Sequence, residues 1–341
     1  MPADVARKAI DLLFADGLVK DNLSLVWHAG EPLVVPQAFY LDIYDHVQKY
    51  ADVASIRHHF QTNGVLIDDG WCELFKKLGA RVGVSIDGPK EIHDKNRRYR
   101  NDKGSFEQAL AGLKLLQQHG IDHHIISVIS HDALTKYEDV LAFYRDCKAQ
   151  SIGFNIEEIE GTNDASTVSG DSRKTFGDFV AQVIALHKSQ QFRSREIRSL
   201  EQFFERSVRI TDNDQNVPLR IITVDARGGF STFSPELHGM TVGSDQFVFG
   251  NVMHDSYVDL FGNPVFLKIY QEIIAGNELC KKNCKYFAAC GGGAPSNKYY
   301  ENGSFSTDET IYCRLKIKEI IDQFMKFDGG GNQAGAYLNL N

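Results

Sequence analysis

The sequence predicts an α/β protein built on a parallel sheet, followed by a small cysteine-bearing region. Three observations carry that expectation. Five apolar strand candidates alternate with amphipathic helix patterns through the first 156 residues, the rhythm of βα units whose parallel strands need crossover connections. Each strand candidate ends, and does not begin, in polar and glycine residues. Four of the six cysteines fall between Cys280 and Cys313. Right-handed crossovers curl such a strand series toward a barrel or part of one, with its chemistry at the C-terminal ends of the strands.

The elements follow in order. Val5, Ala9, Leu12 and Leu13 mark a helix over 3–16 that Gly17 stops. A strand over Leu23–Trp27 ends in His28-Ala29-Gly30-Glu31-Pro32, and Phe39, Ile43, Val47 and Tyr50 mark the next helix. A strand over 56–60 ends in Gln61-Thr62-Asn63-Gly64. A helix near 67–78 leads to a strand from Arg81 that ends in Ser85-Ile86-Asp87-Gly88. Phe106, Leu110 and Leu113 mark another helix before the strand Ile125–Ile129. A helix near 133–147 precedes Ile152–Ile156, which ends in Glu157-Glu158. Gly161–Gly170 reads as a linker, with helices around Phe176–His187 and Ile197–Val208 after it. Leu219–Val224 and Phe230–Phe233 flank an Arg227-Gly228-Gly229 turn, a hairpin signal. A helix near 264–275 delivers the chain to Cys280, and a last helix carries Leu315, Ile317, Ile320, Ile321 and Phe324.

With 341 residues the chain is long enough for one large and one small domain. Its 43% hydrophobic and 24% charged residues describe an ordinary globular protein. A net charge of −8 argues against a nucleic-acid partner. No apolar run suits a membrane span, and no targeting segment is visible before the first helix. These features lead to a cytoplasmic enzyme with a small molecule or a peptide as its partner.

Cys280, Cys284, Cys290 and Cys313 would bring four thiolates together, which suits an iron–sulfur cluster or a tetrahedral zinc. Two structural disulfides rank below either, because intracellular cysteine patterns are more often metal-binding. The three glycines after Cys290 would let backbone amides approach the sulfurs. Cys72 and Cys147 lie in helix patterns and read as packed thiols.

Taken together, the motifs Trp27-His28-Ala29-Gly30-Glu31-Pro32, Gln61-Thr62-Asn63-Gly64 and Ser85-Ile86-Asp87-Gly88-Pro89 resemble, in order and spacing, those of radical S-adenosylmethionine (SAM) enzymes with a SPASM or twitch extension. Gly153–Gly161 and Cys290–Lys298 are similar to the cyclophane-forming maturases of glycine-rich-repeat precursor peptides (GrrM/OscB type). The resemblance implies a partial TIM-like (β/α)6 barrel lacking its first strand, plus a small α+β iron–sulfur extension. It divides the chain into a barrel over 1–160, a helical linker region over 161–215, an auxiliary-cluster domain over 216–327 and a flexible tail over 328–341.

The resemblance also implies roles. Ala29, Gly30 and Glu31 would meet the SAM amino group, which a carbonyl edge and a carboxylate can accept. Ser85 and Arg97 would hold its carboxylate or ribose, and Asn63 and Asp87 the adenosyl portion. As turn formers at strand ends, Asn63 and Asp87 have an alternative reading. Glu157 would position a peptide or accept a proton. Strand alternation forbids Glu157 and Glu158 from facing inward together. Cys280, Cys284, Cys290 and Cys313 would hold one auxiliary [4Fe–4S] cluster. The implied partners are a ribosomal precursor peptide and an electron donor such as flavodoxin or ferredoxin. The implied reaction is hydrogen abstraction by a 5′-deoxyadenosyl radical, followed by a C–C crosslink.

In two respects the chain departs from this family. It has no Cys-x3-Cys-x2-Cys loop for the SAM-cleaving cluster, and Met1 falls at the helix that should follow that loop. The expectation is an N-terminal truncation or late start, or else a short protein that has lost SAM cleavage; either way the chain as given would be inactive in that step. The hairpin region, Gly229–Pro235, carries no cysteine for a second auxiliary cluster. Two alternatives stay open: oxidation of a Cys or Ser as in sulfatase maturases, and a non-catalytic, cluster-bearing peptide-binding protein.

Overall fold

The computed structural model describes residues 1–161, 163–206 and 213–327. The chain divides into two compact units, one of Val19–Glu157 and Lys174–Leu200, the other of Met1–Leu18, Glu158–Arg173 and Glu201–Asn341. The expected tail over 328–341 and the end of the helix drawn to Val208 lie outside the described residues.

The first unit is organised by five parallel strands in sequential order: β1 (Asn22–Trp27), β2 (Ser55–Thr62), β3 (Arg81–Ser85), β4 (His123–Ile129) and β5 (Ile152–Ile156). The register shows why this sequence makes a two-faced sheet. Pairing Phe60 with Val82, Val84 with Ile125 and Ile125 with Ile152 collects apolar side chains on one face. Pairing His59 with Arg81, Gln61 with Gly83 and Gly83 with His124 collects polar groups and glycine on the other. Parallel strands covered on both faces are usually apolar throughout. The polar face therefore marks a surface with another use.

Helices cover the apolar face. Asp69–Leu78 shows how local chemistry sets one: the Asp68 side chain accepts from Trp71 N at 2.8 Å, and Gly79 closes the helix at φ 58°. Its buried stripe of Trp71, Leu74, Phe75 and Leu78 packs inward, with Phe75 against Phe60 at 5.0 Å between ring centres. Two expectations need correction. The pattern over 133–147 is two helices, His131–Thr135 and Tyr137–Asp146, because Lys136 leaves the helical region at φ −120°, ψ 31°. A short helix at Lys90–Asn96, after Pro89, was absent from the sequence reading.

The second unit has a three-stranded antiparallel sheet in the order β10-β7-β6, from β6 (Ile222–Val224), β7 (Gly229–Thr232) and β10 (Gly250–Asn251), so the hairpin expectation holds. A two-residue ribbon, β8 (Thr241–Val242) with β9 (Asp245–Gln246), lies between them in sequence. The core is aromatic: Phe230, Phe233, Phe247, Phe249, Phe266 and Phe305 are all buried. The N-terminal helix Ala3–Ala15 contributes Val5 and Ala9 to this core. Asp16 ties the helix down, its carboxylate accepting from Ser256 Oγ and Tyr257 N at 2.8 Å each. The helix expected over 264–275 runs on through Pro264–Asn283, so Cys280 sits inside a helix and not after one. Among the described residues no helix is long and apolar enough to cross a membrane.

Close approach at Gly112 gives a test of the packing. A Cβ there would stand 2.2 Å from the Gly64 carbonyl oxygen, a backbone atom that cannot rotate away. We expect Gly112→Ala to lower stability by about 1–3 kcal/mol, as overpacking does, read as a lower urea midpoint with unchanged slope. Gly170→Ala, which meets nothing within 4 Å, is expected to stay within about 0.5 kcal/mol.

Candidate functional site

Two sites emerge, one in each unit. In the first, the loops after β1, β2 and β3 form a rim of committed polar groups. Glu31 accepts from Leu33 N at 3.0 Å and Thr62 Oγ1 at 2.6 Å on one oxygen, and from Asn63 N at 2.8 Å on the other. This carboxylate ties the end of β1 to the end of β2. Just before it, Ala29 and Gly30 take left-handed backbone conformations at φ 67° and 66°, which turns their exposed carbonyls off the line of β1. For alanine that conformation is strained. Asn63 Oδ1 accepts from Val65 N at 3.0 Å, the geometry of an Asx turn. Ser85 Oγ accepts from Gln61 Nε2 at 3.1 Å and keeps its own proton to donate.

Arg97 and Asp87 are partners. Arg97 Nε and Nη2 reach the two Asp87 oxygens at 2.6 and 3.1 Å, a bidentate fork, and Val128 N donates to Asp87 Oδ1 at 2.9 Å. The planar fork expected to meet a ligand carboxylate is thus engaged inside the protein. Behind it, the Ser105 hydroxyl donates to Arg97 O at 2.9 Å. Glu157 follows β5, half-buried, its backbone N–H donating to Ile129 O at 3.0 Å.

The polar sheet face adds residues that the sequence reading passed over. A Cβ at Gly83 would lie 2.1 Å from Gln61 Oε1 and 2.8 Å from His124 Nε2, so glycine there is what lets the two side chains meet. Arg195 donates to Asn155 Oδ1 at 2.8 Å and to Glu196 at 2.8 Å. Burial, with Arg81 and Arg195 close by, lowers the His124 pKa to about 4, so its imidazole is neutral at physiological pH. The signal for these residues was partial alternation: His59 and Gln61 on β2, Arg81 on β3, His124 on β4 and Asn155 on β5 share one face of the sheet.

In the second unit, Cys280, Cys284, Cys290 and Cys313 line one cavity, together with Lys298 and Asn297. Each arrives by a different element. Cys280 lies on the helix Pro264–Asn283, and Cys284 is its C-cap. Cys290 ends the single turn Phe287–Cys290, and Cys313 opens the π-helical stretch Cys313–Glu319. Gly291, Gly292 and Gly293 all have positive φ, and a Cβ on Gly292 would strike Asn277 Oδ1 at 2.3 Å. Asn216 holds this loop, its Nδ2 donating to Gly293 O at 2.7 Å.

Burial pushes the Cys290 thiol up, while the amides of Gly292 and Gly293 pull it back. Burial likewise raises Cys280, against the pull of Lys298. Cys313 is pushed to about 12, by burial first, with Lys318 opposing and the other three cysteines adding to the rise. Among the described residues no three His, Cys, Asp or Glu side chains converge closely enough to ligate one metal ion. The four thiols ring one cavity.

Beside this cavity, Asn297 Nδ2 donates to Glu158, a partly buried carboxyl. Burial raises the Glu158 pKa to about 7, with Glu160 and Glu236 adding to it and Asn297 and Lys316 opposing.

A model of the radical SAM superfamily matches residues 3–146. An uncharacterized protein of Synechocystis sp. is 36% identical over 331 residues, covering 94% of this chain and 83% of its own length. The chain belongs to the radical SAM superfamily. The serine-type anaerobic sulfatase-maturating enzyme of Bacteroides thetaiotaomicron is 26% identical over 92% of this chain and 78% of its own. The antilisterial bacteriocin subtilosin biosynthesis protein AlbA of Bacillus subtilis is 27% identical over 86% of this chain and 61% of its own. Among solved structures, native anSMEcpe with bound AdoMet and Cp18Cys peptide superposes with a TM-score of 0.77 at 19% identity, covering 100% of this chain and 92% of that one. The half-barrel of five parallel strands is the superfamily's partial TIM-like fold.

Glu158 yields a pH prediction. A folded pKa of about 7 against the ordinary 4.5 of a glutamate means the folded state holds more protons than the unfolded one between those values. Stability then falls as pH rises from about 4.5 to 7 and is flat above, as far as this group decides it. Glu158→Gln is expected to flatten that part of the profile of thermal midpoint against pH. An unchanged slope would contradict the assignment.

Proposed function

We propose that this chain is a peptide-modifying radical SAM protein that joins two carbons of a ribosomal precursor peptide in a cyclophane-type crosslink. In it Cys280, Cys284, Cys290 and Cys313 hold one auxiliary [4Fe–4S] cluster in the SPASM or twitch manner. The single observation that carries the reading is the cavity lined by all four of these cysteines. Its donor set is soft thiolate, and its wall supplies backbone amides and a buried cation, the surroundings that iron–sulfur clusters take. Thiols spaced around a cavity suit a polynuclear cluster better than one zinc, whose sulfurs stand at about 2.3 Å from a common centre.

The strand-end rim fits SAM in most of its parts. The Ala29 and Gly30 carbonyls and the remaining lone pair of Glu31 suit the ammonium group. Ser85 can donate its proton to a carboxylate or ribose. Asn63 and Asp87 are proposed at the adenosyl portion, with Arg97 acting through Asp87, whose carboxylate it orients. When bound, SAM and the clusters supply hydrogen-atom abstraction and an electron sink. Crosslinking an aliphatic carbon to an aromatic ring removes two hydrogens, and Glu157 is proposed as the acceptor of the proton. Flavodoxin or ferredoxin is the proposed electron donor. The sequence contains no Cys-x3-Cys-x2-Cys, so the test uses a form supplied with this loop.

A second reading is oxidation of a peptidyl Cys or Ser, which the sulfatase-maturating relative favours. Mass spectrometry separates the two. Anaerobic incubation of the loop-bearing form with SAM, reductant and a glycine-rich-repeat peptide is expected to give a peptide two hydrogens lighter that does not react with a hydrazide. A hydrazide-reactive aldehyde would support the second reading, and an unchanged peptide would contradict both. The chain as it stands is expected to leave the peptide unchanged.

A further inference from the structure

The cavity wall holds a cation that the cysteine assignment does not by itself explain. Lys298, on the helix Pro295–Asn302, is only 5% exposed. It lines the same cavity as the four cysteines, and its charge opposes the rise that burial gives the Cys280 thiol. Room for it is built in: a Cβ on Gly276 would stand 3.2 Å from Lys298 Nζ and 2.1 Å from Phe305 O. Among the described residues no ion pair joins Lys298 to a carboxylate. The other cation near the thiols, Lys318, differs in this respect, because it is ion-paired with Glu309. Asn297, next in the chain, contacts Glu158 instead.

Burying a lysine with no carboxylate at ion-pair distance is costly, even with Asp308 on the same cavity wall, so the site suits a negative occupant. Four thiolates around an iron–sulfur core form an anionic centre, and one-electron reduction makes it more so. A fixed positive charge beside one ligand stabilises the reduced form more than the oxidised form. The reduction potential rises with it.

We propose that Lys298 is the charge-compensating residue of the four-cysteine centre and sets its reduction potential through Cys280. The proposal rests on the cluster assignment made above, and the test separates the two. The protein is reconstituted anaerobically with iron and sulfide, and iron content and midpoint potential are measured for the wild type, Lys298→Met, Lys298→Gln and Lys298→Arg. The neutral variants are expected to shift the midpoint to more negative potential, with Lys298→Arg returning it toward the wild-type value. Loss of iron in both neutral variants with retention in Lys298→Arg would also support the role, since charge and not shape then decides occupancy. Neutral variants that hold full iron at the wild-type midpoint overturn the proposal and leave the cluster assignment standing. So does loss of iron in all three variants. A wild type that binds no iron removes the cluster assignment itself.

Discussion

The gathering of four thiols around one cavity, Cys280 buried and the others half-buried, is the constraint on which the second unit depends. Desolvation favours the neutral thiol, yet a metal ligand must be a thiolate. The fold opposes that tendency with fixed positive potential. Gly292 and Gly293 direct amides at Cys290, Lys298 stands beside Cys280, and Lys318 lies near Cys313 and Cys284. None of these groups is free to drift. Asn216 and Asn277 bracket the glycine loop, and Glu301 accepts from Ile311 N and Tyr312 N just before Cys313. On the proposed cluster assignment, the cavity would be preorganised for an anionic centre, leaving less reorganisation to the moment of metal binding.

The rim of the first unit uses its charges differently. Its carboxylates are spent largely on the protein itself. Glu31 joins the ends of two strands, and Asp87 joins β4 to the Arg97 fork. Such interlocked groups are held in place by the protein alone, which is what the proposed SAM surface would require. The strain at Ala29 belongs to the same design, since a left-handed residue ahead of Glu31 re-aims the carbonyls at the strand end. The polar sheet face, with neutral His124 and Gln61 both reaching over Gly83, continues along the strands.

The fold was legible from sequence wherever apolar period and strand-end chemistry coincided. The five strands and their parallel order followed from runs such as Ile125–Ile129 bounded by glycine and polar residues. Boundaries failed where no residue announces them. Lys136 breaks a helix by backbone conformation alone, and Pro264–Asn283 continues past its apolar stripe. The four cysteines were legible as a set, because spacing in the chain brought them to notice. Lys298 was not: a lysine in sequence reads as surface, and only burial beside Cys280 gives it another meaning. The Arg97–Asp87 pair escaped for a similar reason, since both residues were read toward a ligand and neither toward the other.

The most direct measurement is iron and acid-labile sulfide per chain after anaerobic reconstitution of this protein. One cluster on Cys280, Cys284, Cys290 and Cys313 requires about four of each, with all of it lost when these cysteines are replaced. Stoichiometric zinc without iron, or iron that survives their replacement, would contradict the account.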